Sequence, residues 1–113
     1  MFVAVYWWRV HPGKEAQFRE AWRRGTELIT ARYGSFGSRL HQDRDGRFVG
    51  YAEWPDEATW QAAIDARMVY DDAEARRMFL DAVAESPPGG EPAFAMTVTD
   101  DLLQTPRPAR PRG

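Results

Sequence analysis

The sequence contains no cysteine and only two histidines, His11 and His41. The absence of cysteine excludes disulfides, iron–sulfur clusters, thiolate zinc sites and cysteine nucleophiles. The two histidines are too far apart in the chain to match a metal-ligand spacing. A glycine-rich phosphate loop, a nucleophile elbow and a flavin or nicotinamide fingerprint are also missing. We therefore expect no metal and no organic cofactor, even if the protein is an enzyme.

Long apolar runs are missing as well. No stretch approaches the ~18 apolar residues that a membrane-spanning helix requires. The first ten residues, MFVAVYWWRV, lack the basic start and extended apolar core of a signal peptide. Together with the absence of cysteine, this pattern favours a cytoplasmic protein that does not bind membranes. The net charge of −2 gives nucleic acid no electrostatic reason to bind, so nucleic acid is not an expected partner.

Aromatic side chains, by contrast, are abundant: the 113 residues include five Trp, four Tyr and six Phe. A chain of this length corresponds to one ordinary domain. Aromatic rings bring a large contact area, so they suit both a core and a pocket for a flat ligand. The stretch FVGYAEWPDEATW brings Tyr51, Trp54 and Trp60 close together in the chain. These rings could form the wall of a site or only a core.

Hydrophobic periodicity predicts seven elements. Strands are predicted at Phe2–Val10, Gly37–Gln42, Arg47–Trp54 and Phe94–Thr99. Helices are predicted from about Gly13 to Arg32, from Pro55 past Met68, and from Asp71 or Asp72 to Val83. Gly34 is placed to end the first helix in a left-handed cap, and Asp45-Gly46 predicts a hairpin.

The predicted order is β-α-β-β-α-α-β, which indicates an α+β fold. Without one helix it is βαββαβ, the ferredoxin-like arrangement of a four-stranded antiparallel sheet with helices on one face. The first strand is apolar on both sides, and an exposed apolar sheet face is an association surface. We therefore expect a homodimer in which two sheets pack face to face, a dimeric α+β barrel.

The chain is expected to form one domain over residues 1–104. The remaining residues, TPRPARPRG at 105–113, place prolines and arginines between small or polar residues. This segment has no large apolar side chain that could anchor it. We expect a disordered tail that folding does not require.

Several motifs together resemble the antibiotic biosynthesis monooxygenase domain family. They are the helix entry PGKEAQF at 12–18, the helix end Tyr33-Gly34, the strand GSRLH at 37–41 with its Asp45-Gly46 hairpin, and the Trp54-Pro55 junction followed by Trp60. The resemblance covers about Phe2 to Phe79. It implies a dimeric α+β barrel with a ligand pocket between the helices and the sheet of each subunit.

The resemblance also implies a range of activities: cofactor-free oxygenation of polyaromatic phenols, quinol oxidation and haem degradation. The haem-degrading branch needs an Asn on the first strand, and a Trp and a His on the helices after the third strand. Here Tyr6 stands at the Asn position, and residues 55–85 contain no His. These departures argue against haem degradation.

The candidate site residues come from the parity of the first strand. If its even positions face the helices, Tyr6 and Trp8 would surround one apolar cavity with Trp22 and Trp60. Tyr6 and His41 are the candidate catalytic residues, because a phenol can orient a phenolate and an imidazole can transfer a proton. The alternative is that all four aromatic residues fill a small core, which is the default for such residues.

Three functions remain open from the sequence. The leading hypothesis is a cofactor-independent monooxygenase-like enzyme that acts on a small aromatic or quinol-type compound. The second is a non-catalytic dimer of the same fold that binds a small aromatic molecule. The third is an isomerase-like relative that uses His41 as its base. A buried base beside the aromatic cluster would separate the first from the second.

Overall fold

The computed structural model of the chain describes residues 1–104, so the predicted tail at 105–113 lies outside the described residues. The strands are β1 (Phe2–Val10), β2 (Gly37–Gln42), β3 (Phe48–Trp54), β4 (Val83–Glu85) and β5 (Phe94–Thr97). The helices are α1 (Glu15–Tyr33), α2 (Glu57–Asp65) and α3 (Ala73–Ala82), with a short 3₁₀ turn at Pro88–Gly90. The observed helices and strands follow the predicted order, with one strand added.

The sheet is antiparallel, and β1 lies at its centre. β3 pairs with one edge of β1, and β2 pairs with the far side of β3. The other edge of β1 is shared: β5 pairs with Phe2–Val5, and the short β4 pairs with Arg9 and Val10. The predicted ferredoxin-like α+β fold is therefore confirmed. The strand β4 was not predicted, and β5 ends at Thr97 rather than Thr99.

The helix ends follow from local hydrogen bonds. Gly34 adopts φ 79°, and its N–H donates to the carbonyl of Thr30, which is the predicted left-handed cap of α1. The Asp56 carboxylate accepts a hydrogen bond from the Thr59 N–H at 2.7 Å and begins α2. Of the two aspartates predicted to cap the third helix, Asp72 does so, through the Ala75 N–H at 2.9 Å.

The even positions of β1 face the helices. Phe2 and Ala4 are buried there beside Trp54 and Trp60. A second cluster, further along the strand, centres on Phe18. Because directly paired residues of an antiparallel sheet point to the same side, the even positions of β3 share this face.

The odd positions of β1 form the opposite face, which carries no helix. This open face includes Val5 and Trp7 of β1, Tyr51 of β3, and Phe94 and Met96 of β5. Phe94 is 61% exposed and Met96 is 43% exposed, values that are high for large apolar side chains. This is the surface that the predicted homodimer would use, and the dimer stays a prediction.

Within residues 1–104, no helix has the length and apolar character needed to cross a membrane.

Candidate functional site

A cavity of about 270 Å³ lies between the helical face of the sheet and the helices. Its walls come from β1, β2, β3, α1 and α3, from the connections before β2 and between α2 and α3, and from the 3₁₀ turn. The lining residues are mostly aromatic or apolar: Tyr6, Trp8, Ala21, Trp22, Gly25, Thr26, Ile29, Thr30, Ser35, Ser38, Gly50, Ala52, Trp54, Met68, Tyr70, Arg76, Phe79 and Gly90. No carboxylate and no imidazole lines the cavity within the described residues.

Tyr6 is the residue of the cavity wall with the most specific environment. The indole N–H of Trp60 donates a hydrogen bond to its hydroxyl oxygen at 3.0 Å. Because that oxygen accepts from Trp60, its own proton remains available for donation to a ligand. Burial raises the pKa of Tyr6 above its ordinary value of 10.0, and the Trp60 hydrogen bond opposes only part of the rise. Tyr6 is therefore a neutral hydrogen-bond donor near pH 7 and not a base.

Trp60 supports Tyr6 from behind the cavity wall. It is buried in the core, and its ring lies 5.0 Å from that of Phe2. It does not itself line the cavity. Its indole N–H fixes the position of the Tyr6 hydroxyl. The predicted substrate-binding Trp60 is thus placed as a neighbour of Tyr6, one step away from the cavity.

Gly50 makes room for two of the predicted wall residues, Trp8 and Trp22. A Cβ atom at Gly50 would lie 2.9 Å from Cη2 of Trp8 and 3.7 Å from Nε1 of Trp22. Real side chains do not approach so closely as the first of these distances, so the Trp8 ring occupies the space that a larger residue would fill. The Tyr6 and Trp8 rings are nearly parallel, at 17°, with centroids 6.3 Å apart. The structure brings Tyr6, Trp8 and Trp22 together at one cavity.

The connection between α2 and α3 supplies a wall that the sequence did not predict. Tyr70 lies over Gly25 of α1, where a Cβ atom would meet the Tyr70 Cζ and hydroxyl oxygen at 2.9 Å. Arg67 and Met68 precede it with φ 57° and 45°, an uncommon conformation for residues other than glycine. A glycine inside a helix costs about 1 kcal/mol relative to alanine, so Gly25 was the available signal of a close approach.

His41 lies away from this cavity. It pairs with Val49, which pairs with Trp7, so the register places His41 on the open face opposite Tyr6. Its side chain is exposed, and Nδ1 lies 3.2 Å from the Val49 carbonyl oxygen. His41 also borders an open groove between α1 and β2. The two candidate catalytic residues are therefore separated by the sheet.

The three aromatic residues of the FVGYAEWPDEATW stretch lie in three different environments. Tyr51 lies on the open face, as its parity predicts. Trp54 is only 1% exposed and belongs to the core, yet it also contributes to the cavity wall. Its indole N–H has no hydrogen-bond partner among the described residues. Trp60 is core.

Comparison with known proteins supports the fold and the family. SnoaB, a cofactor-independent oxygenase from Streptomyces nogalater, superposes with a TM-score of 0.62 at 16% identity, over 91% of this chain and 97% of that one. Rv0793 from Mycobacterium tuberculosis gives 0.62 at 11% identity, over 89% and 97%. A protein from Nitrosomonas europaea assigned to the antibiotic biosynthesis monooxygenases gives 0.56 at 24% identity, over 75% and 88%. At such identities, the likeness shows the fold.

No curated protein matches the chain. The family model described as antibiotic biosynthesis monooxygenase, however, matches residues 1–69, which is more than half of the 113 residues. The matched part includes β1, with Tyr6 and Trp8, and extends through α2. This chain belongs to the antibiotic biosynthesis monooxygenase family.

Proposed function

We propose that the protein is a monooxygenase that needs no bound cofactor and acts on a small aromatic hydroxyl compound such as a quinol. The observation that carries the proposal is the Tyr6 hydroxyl at the wall of an apolar cavity, held by Trp60 at 3.0 Å with its proton free. A hydrogen-bond donor in an apolar site stabilises an oxyanion better than water does, because it is already oriented and competes with little solvent. Family membership and the likeness to SnoaB support the same proposal.

The reaction balances without an added reductant. One atom of O₂ enters the quinol ring and the other leaves as water, and the quinol itself supplies all the electrons. The product is a hydroxyquinone. The ionised quinol is the form that reacts readily with O₂, and the Tyr6 hydroxyl would hold its oxyanion. The tryptophan rings of the cavity would orient the flat substrate and exclude water.

Within the described residues, no carboxylate and no imidazole lines the cavity. This observation favours the second candidate function, a protein that binds a small aromatic molecule without catalysis. A substrate that needs a protein base to ionise would be bound and left unchanged. The proposed enzyme therefore requires a substrate that ionises without help from the protein. Its rate should rise with pH through the substrate's own pKa. Tyr6 should keep its proton over that range, because its pKa is raised above 10.0.

Oxygen uptake with 1,4-naphthohydroquinone tests the proposal. The wild-type protein should consume O₂ faster than the same quinol does alone. Tyr6→Phe should lower kcat by about 10²-fold with little change in KM, because it removes a donor to the oxyanion and keeps the ring. An oxygen electrode measures the rate, and the hydroxyquinone is identified by its absorption spectrum.

Tyr51→Phe is the matched control, since it removes a tyrosine hydroxyl from the opposite face of the sheet. It should retain the wild-type rate. If the quinol binds but O₂ uptake does not exceed the spontaneous rate, the enzyme proposal is wrong and the binding protein is the better description.

A further inference from the structure

The cavity limits the size of the ligand that the proposed function requires. Its volume of about 270 Å³ falls just below the ~300–1,000 Å³ of pockets that take drug-sized molecules. The rings of Trp8 and Tyr70 are pressed against Gly50 and Gly25, so neither ring has space to move further back. A volume of this size favours a compound of one or two fused rings.

The cavity wall includes one arginine, Arg76, that has no carboxylate partner within the described residues. Arg76 of α3 is exposed and lines the cavity, so it lies at the mouth. Within residues 1–104, no salt bridge joins it to an Asp or Glu. The protein as a whole carries a net charge of −2, so this local positive charge differs from the average surface.

The acidic residues nearest to Arg76 along the chain are already engaged by another arginine. Arg24 of α1 binds both carboxylate oxygens of Asp72 at 2.9 Å and approaches Glu74 at 3.4 Å. Asp72 also caps α3 through the Ala75 N–H. These contacts hold both carboxylates toward Arg24, and within residues 1–104 neither of them pairs with Arg76.

Tyr70 completes the polar side of the mouth. Its ring is fixed over Gly25, and both Tyr70 and Arg76 belong to the cavity wall. Burial raises the pKa of Tyr70, and both the charge of Arg76 and a hydrogen bond between the Arg76 guanidinium and the Tyr70 hydroxyl oppose the rise. The phenol is therefore neutral near pH 7 and adds a hydrogen-bond donor beside the guanidinium. A guanidinium and a hydroxyl together match the acceptor atoms of a carboxylate.

We infer that the ligand is a one- or two-ring aromatic compound that carries a carboxylate, with its rings in the cavity and its carboxylate against Arg76 at the mouth. This inference rests on the proposed function for the aromatic part of the ligand. It adds the size and the charge of the ligand, and it assigns the selection for charge to Arg76. Arg76 is then the residue that separates acidic aromatic compounds from neutral ones of the same shape.

Calorimetric titration with a matched pair of ligands tests the inference. The pair is 1-hydroxy-2-naphthoate and 1-hydroxy-2-naphthamide, which share their rings and hydroxyl and differ in charge. The wild-type protein should bind the carboxylate about two- to fivefold more tightly than the amide, as expected for an ion pair at an exposed site. This preference should disappear in Arg76→Gln and at high salt, where exposed charges are screened.

Two further variants make the result specific. Arg77→Gln removes the neighbouring charge of α3, which does not line the cavity, and should keep the preference. Arg76→Lys should keep part of it, because lysine retains the charge but not the planar fork of donors. Equal binding of the two ligands by the wild-type protein would overturn the inference. Loss of the preference in Arg77→Gln to the same extent as in Arg76→Gln would do so too.

The titration is independent of turnover, since neither naphthalene compound needs to react with O₂ to bind. A preference for the carboxylate without any oxygen uptake would leave the inference intact and reject the enzyme. Oxygen uptake with 1,4-naphthohydroquinone but no preference between the matched ligands would do the reverse. The two proposals can thus fail separately.

Discussion

Replacing Phe94 with aspartate is expected to turn a homodimer into a monomer that stays folded. Phe94 is 61% exposed on the open face of the single chain, so its loss should cost the isolated fold little. In a dimer closed by this face, an unpaired carboxylate would be buried at a cost of ~3–5 kcal/mol, which raises the dissociation constant by at least about a hundredfold. Sedimentation velocity at micromolar concentration distinguishes the 13.0 kDa chain from its dimer.

The matched control is Leu80→Asp. Leu80 is similarly exposed, at 59%, but lies on α3, away from the open face. That variant should have the sedimentation of the wild type. A wild-type protein that sediments as a monomer over the whole micromolar range would remove the basis for the homodimer. Circular dichroism of each variant shows whether the fold is kept.

Replacing Phe18 with alanine is expected to lower the free energy of unfolding by about 3–5 kcal/mol, as is usual for a fully buried phenylalanine. Phe18 is 0% exposed. Its ring lies 4.9 Å from Phe48, 5.2 Å from Phe79 and 5.5 Å from Trp8, so it joins α1 to β3, α3 and β1. Urea denaturation followed by tryptophan fluorescence measures the loss.

The loss of Phe18 should also weaken ligand binding, because Trp8 and Phe79 form part of the cavity wall and rest on its ring. Leu28→Ala on the same helix is the control. Leu28 is 37% exposed, so its truncation should cost about 1 kcal/mol or less. Equal destabilisation by the two variants would mean that the Phe18 cluster is not the centre of the core.

The fold could be predicted from the sequence because its signals are local. Gly34 and Gly46 adopt positive φ at the end of α1 and in the Asp45-Gly46 hairpin, and the Asp72 carboxylate accepts the N-terminal hydrogen bond of α3. β4 escaped prediction because Val83 leaves α3 directly in an extended conformation, with φ −78° and ψ 122°, and no turn residue separates helix from strand. A strand of three residues is also too short for an alternating pattern to emerge.

The candidate site could be predicted only in part. The parity of β1 is enough to place Tyr6 and Trp8 on one face, and the structure finds them at one cavity. The contribution of Tyr70 and Arg76 depends on how the connection after α2 folds back over α1, a long-range contact that has no periodic signal. The separation of His41 from Tyr6 depends on the register of β2 with β3. A shift of one residue in that register would have put His41 on the helical face.

The divided edge of β1 has a consequence for how the cavity can open. Within the described residues, neither β4 nor β5 pairs with Tyr6, Trp7 or Trp8 of β1. The pairing with β5 ends at Val5 of β1, and the pairing with β4 begins at Arg9 of β1. The sheet is thus interrupted on this side at the level of the cavity. Fewer interstrand hydrogen bonds must break there than elsewhere, so small fluctuations would admit solvent without unfolding a helix. Backbone amides of β4 and β5 should therefore exchange with deuterium faster than those of β3, and a bound aromatic ligand should slow them.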